Sequence, residues 1–123
     1  MPAWVKVIGA VLALAGGYLV FAPDVVRSAL GRTPATSSDW INLRATFGGT
    51  IVGLGVFLIW LPAWSPWQRT VQGLLLWSMA GIGLARGIGF ALDGGPDRKQ
   101  YIWIVAEIAI VAVTGYLLYR RGR

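Results

Sequence analysis

Residues 81–96 read Gly81-Ile-Gly-Leu-Ala-Arg86-Gly-Ile-Gly-Phe-Ala-Leu-Asp93-Gly-Gly-Pro96. The run is apolar and glycine-rich, holds one arginine near its centre and ends in an acidic turn. Gly81, Ala85 and Gly89 recur every fourth position, a stripe along which a second helix can approach closely. An arginine within a segment of membrane length is costly to bury, and it points to a functional site. The rest of the chain is read as what surrounds Arg86.

The chain has 123 residues, of which 56% are hydrophobic and 13% charged, and its mean hydropathy is +0.64. Soluble domains are about 45–50% apolar and about 25% charged. So few charges cannot solvate a globule with this much apolar surface. Glycine is more frequent in membrane helices and tryptophan gathers at their interfaces; this chain has 17 and seven. The length suits one domain, residues 1–123, rather than two.

Cysteine and histidine are absent. That excludes disulfides, zinc or haem held by those residues, iron–sulfur clusters and the commonest general base. No metal ligand set, cofactor or catalytic residue is expected. The net charge is +6 and the pI near 10.6. The basic residues lie at segment ends, so anionic lipid headgroups explain them better than nucleic acid.

Outward from Arg86, hydropathy divides the chain into four spans, at about 4–21, 41–61, 69–92 and 101–119, each long enough to cross a hydrocarbon core of about 30 Å. The expected fold is an all-α transmembrane four-helix bundle with both termini on one side. The first span, with Lys6 in it, is read as a retained helix rather than a cleaved leader. Gly9, Ala13 and Gly17 form its small-residue stripe, and Gly49 and Gly53 a G-x-x-x-G pair in the second span. These stripes can pack within the chain or between chains. Pro23-Asp24 opens a short surface helix over 24–30, with Val25, Val26, Ala29 and Leu30 on one face and Gly31 ending it. Thr33 to Ser38 reads as a loop. Trp4, Trp60, Trp64, Trp67, Tyr101, Trp103 and Tyr119 sit near span ends, as interfacial anchors do. Trp77 lies mid-span, in the core or facing lipid, and is a lesser candidate for a pocket wall.

The side with the termini holds Lys6, Arg69, Arg120, Arg121 and Arg123. The other holds Arg27, Arg32, Arg98 and Lys99. Basic residues favour the cytoplasmic side, so both termini are expected to be cytoplasmic.

Depth along each helix places Arg44 roughly 5 Å, and Arg86 and Glu107 roughly 9 Å, from the end remote from the termini. One polar cluster of Arg44, Arg86, Asp93 and Glu107 is therefore expected, with Asn42, Thr46 and Tyr101 completing it. Two readings stay open. The charges either pin helices together, with Arg44 snorkelling, or bind an anionic or polar group. Gly81-x-Gly83-x-x-x-Gly87 faintly resembles a dinucleotide fingerprint, but no strand precedes it and helix packing accounts for it.

Asn42-x-Arg44-Ala45-x-Phe47-Gly48-Gly49, then Gly83-Leu84-Ala85-Arg86-x-Ile88-Gly89-x-Ala91-Leu92-Asp93-Gly94, and then Glu107 resemble a family of small bacterial four-helix membrane proteins of unknown function. The likeness covers the second to fourth spans. It implies the fold, a bacterial inner membrane as the location and the choice of Arg44, Arg86, Asp93 and Glu107, and it implies no reaction.

The expected role is non-catalytic. The chain would be an accessory or scaffolding subunit of a membrane assembly, or a binder of a lipid-like molecule. Its partners would be the bilayer and a larger complex or a second copy, without nucleic acid. The alternative is a small proton-coupled transporter that titrates Glu107. A membrane enzyme lacks a nucleophile, a base and metal ligands.

Overall fold

The computed structural model describes residues 2–31, 36–94 and 97–121. Its helices are α1 (Ala3–Phe21), α2 (Asp24–Leu30), α3 (Ser37–Leu43), a π-helical segment (Arg44–Gly49), α4 (Thr50–Trp60), α5 (Trp67–Asp93) and α6 (Arg98–Arg121). The α3, π and α4 pieces run on as one helix, Ser37–Trp60. Among the described residues, this helix, α1, α5 and α6 are the four long and apolar enough to cross a membrane. Among the described residues there is no strand.

Most ends fall where local chemistry puts them. Gly31 stops α2 at φ +68° and returns its N–H to the Arg27 and Ser28 carbonyls. Gly94 stops α5 at φ +66° and ψ 178°, backbone that is essentially reserved for glycine. The second long helix differs from expectation, for it starts at Ser37 and not near residue 41. A capping box extends it. The Thr36 hydroxyl accepts from the Asp39 N–H, and the Asp39 carboxylate accepts from the Thr36 N–H, both at 3.2 Å. Ser37 and Ser38, assigned to the loop, are thus helical; residues 32–35 of that loop lie outside the described residues. So do Gly95 and Pro96 of the acidic turn and, in the terminal arginine cluster, the Arg121 side chain and Arg123.

Neighbouring long helices run antiparallel. Lys6, early in α1, donates to the Ile59 and Leu61 carbonyls at the end of α4, where a cation favours the exposed carbonyl dipoles. Val20, late in α1, lies against Gly48. Trp60 at the end of α4 lies over Gly73 early in α5, and Leu76 of α5 faces Gly115 of α6. The start of α1 and the end of α6 therefore lie at the same end. Packing follows chain order: α1 on the second long helix, that helix on α5, and α5 on α6. The core joins Val20, Ala45 and Ala85, flanked by Val52, Ile82 and Ile88.

Glycines let the second helix touch neighbours on two sides. A Cβ on Gly53 would lie 2.3 Å from the Trp77 carbonyl oxygen, and one on Gly81 2.2 Å from that of Gly49. On the other side, a Cβ on Gly55 would meet Ala13 at 2.4 Å, and one on Gly9 the Gly55 carbonyl at 2.7 Å. Gly89 seats the fully buried Ile41, and Ala85 is buried at the same crossing. These stripes pack within the chain. Gly17 does not: a Cβ there meets nothing within 4 Å, whereas one on Gly16 lies 2.5 Å from the Val52 nitrogen. A strict four-residue repeat misses this, because Gly9 to Gly16 is a seven-residue step that returns to the same face.

Most of the proposed anchors are exposed: Trp4, Trp64, Trp67, Tyr101, Trp103 and Tyr119. Trp60 is different. Its ring fills the space over Gly73 and lies 6.3 Å from that of Trp77, so it packs α4 onto α5. In α2 only Val26 is buried, while Val25 and Leu30 remain exposed.

Candidate functional site

Arg86 is 5% exposed and bonded along its whole fork. Its Nε and Nη2 donate to Glu107 Oε1 at 3.1 and 2.9 Å, and Nη1 donates to Asn42 Oδ1 at 2.9 Å and to Gln100 Oε1 at 2.5 Å. Glu107 and Gln100 are themselves buried. The antiparallel run of α5 and α6 brings Arg86 level with Glu107, as depth predicts. Gln100 was not anticipated. It lies seven residues before Glu107 and so on the same face of α6, which is the pattern that would have found it. Asp97 holds it in place by accepting the Gln100 N–H at the start of α6, 3.2 Å, the bond an N-cap makes.

Arg44 forms a separate pair. Its Nε and Nη2 reach the two carboxylate oxygens of Asp93 at 2.8 and 3.1 Å. Its Nη1 donates to the Val20 carbonyl at 2.5 Å, one of the carbonyls at the end of α1 that lack a helical partner. Arg44 is 8% exposed, so it does not snorkel. The single Arg/Arg/Glu/Asp cluster is therefore two ion pairs, each with one member on α5. Angle explains what depth could not. Positions two apart on a helix project about 200° apart, so Asn42 and Arg44 face opposite ways. Asn42 turns to Arg86, and Arg44 to Asp93 and α1. Tyr101 takes no part in the cluster; its ring lies 5.4 Å from that of Phe90.

Beside the Arg86 pair is a groove of about 370 Å³, at the small end of the roughly 300–1,000 Å³ typical of ligand sites. Asn42, Thr46 and Thr50 line one wall, Met79, Ile82 and Arg86 the floor, and Trp103, Ala106, Glu107 and Ile110 the other wall. Trp103, read as an anchor, thus borders the groove, and Trp77 does not. The wall of Asn42, Thr46 and Thr50 passes through the π-helical segment, a local widening often found at functional sites.

Residues 1–118 match the family described as a domain of unknown function (DUF4345). The chain belongs to that family. The match takes in the first long helix, which carried none of the residues behind the resemblance seen in sequence. No curated protein and no solved structure matches the chain. Membership of DUF4345 brings no reaction with it, so a role for this member has to be argued from its groove and ion pairs.

Proposed function

We propose that this DUF4345 protein is a polytopic, non-catalytic membrane protein whose groove between the second helix and α6 holds the polar end of a lipid-like molecule. One observation carries this reading: an apolar groove with the Arg86–Glu107–Asn42 network at its side. Ligand sites combine mostly apolar walls with a few polar groups that fix orientation. The groove is open on one side, as a guest with acyl or isoprenoid chains requires. We place the protein in a bacterial inner membrane, with α2 along its surface.

Proton-coupled transport through Glu107 fits less well. The carboxylate is bonded to Arg86 at 2.9 Å, so each cycle would have to break the pair and strand a buried guanidinium.

The test is to purify the protein in mild detergent and measure co-purifying lipid by native mass spectrometry, beside Ala106→Phe. Ala106 is exposed on the groove wall, so a bulky ring there fills the groove without entering the core. Retained lipid on the native chain and loss from a folded Ala106→Phe variant support the reading. Equal lipid on both overturns it.

A further inference from the structure

We infer that the groove selects an uncharged lipid whose polar end carries carbonyl or hydroxyl oxygens, and rejects anionic headgroups. This rests on the lipid-binding reading and deepens it.

Charge is the first reason. Among the described residues, Arg86 is the only cation on the groove's lining, and Glu107 neutralises it. A phosphate entering there would find no free positive charge, would face a carboxylate, and would surrender its hydration without a counter-ion. Hydrogen bonding is the second. Asn42 Oδ1 accepts from both Arg86 Nη1 and Gln100 Nε2, at 2.9 and 3.1 Å. That fixes the orientation of the amide and leaves the Asn42 Nδ2 group as a donor without a partner among the described residues. The Thr46 and Thr50 hydroxyls on the same wall likewise have no hydrogen-bond partner among the described residues. One amide donor and two hydroxyls suit neutral oxygens. Diacylglycerols and isoprenoid quinones both present such oxygens on an apolar chain.

The experiment uses the full chain in phosphatidylcholine nanodiscs with a photoreactive diacylglycerol. Labelled peptides are mapped by mass spectrometry, in competition with unlabelled diacylglycerol, isoprenoid quinone or phosphatidylglycerol. Labelling of the groove walls is expected, with an uncharged competitor at least about ten-fold more effective than phosphatidylglycerol. The more effective uncharged competitor identifies the source. Asn42→Leu with Thr46→Val should weaken competition by the uncharged lipids while the groove remains, and phosphatidylglycerol, still facing Glu107, should stay a poor competitor. Phosphatidylglycerol competing as well as either uncharged lipid overturns the selectivity and leaves lipid binding standing. Groove labelling that persists in Ala106→Phe, or is absent from the native chain, overturns both.

Discussion

Arg44 and Asp93, 49 positions apart, meet through two parallel hydrogen bonds that tie the start of the second long helix to the end of α5. The same guanidinium also holds the end of α1 through Val20. Three helices thus depend on one side chain. Asp93→Leu strands a buried guanidinium and is expected to cost about 3–5 kcal/mol. The double variant Arg44→Met/Asp93→Leu should cost less than Asp93→Leu alone. Reversible unfolding in mixed detergent measures both, and a double variant worse than the single one contradicts the pair.

Independence of the two ion pairs gives a second prediction. Arg44 bonds to Val20 and Asp93, whereas Arg86 bonds to Asn42, Gln100 and Glu107. Losses from Asp93→Leu and Glu107→Leu should therefore add to within about 0.5 kcal/mol. Within the second pair, Arg86→Leu/Glu107→Leu should be milder than the sum of its parts. Strong coupling between Asp93 and Glu107 would restore the single cluster.

Adjacent glycines in α1 should behave oppositely. Gly16→Ala places a methyl against Val52 and the Gly48 carbonyl, an overpacking worth about 1–3 kcal/mol. Gly17→Ala meets open space and should be neutral, or stabilising by up to about 1 kcal/mol as glycine leaves a helix. Paired denaturation curves decide it, and equal losses at both sites would contradict the packing of α1.

Thr36→Ala removes the capping box. A cost of about 1 kcal/mol is expected, with faster hydrogen exchange at the amides of residues 37–40 and none of that change in α5. Unchanged exchange would mean that tertiary contacts alone hold the first turn.

Much of this architecture was legible because hydropathy and helical rise are one-dimensional. The four long helices, the short helix ended by Gly31 and the meeting of Arg86 with Glu107 all follow from position along an axis. What was missed is angular. Depth alone groups Asn42 with Arg44 although they face apart, a four-residue repeat selects Gly17 where Gly16 packs, and Gln100 is less conspicuous in the sequence than Tyr101. Trp60 and Trp103 carried the usual anchor signature, and only three-dimensional packing reveals that one covers Gly73 and the other borders the groove. The capping residues Thr36 and Asp39 were plainly spaced but hidden in a polar stretch that reads as loop.

Helices stacked in chain order leave the groove between the second helix and α6, with α5 beneath it. On the membrane reading, a guest dissolved among acyl chains would arrive by in-plane diffusion, without crossing an aqueous vestibule or waiting for a loop to lift. Exchange would then be set by how readily the surrounding lipid lets one molecule slip past another, and stiffening the bilayer would slow it more than any change in the aqueous phase.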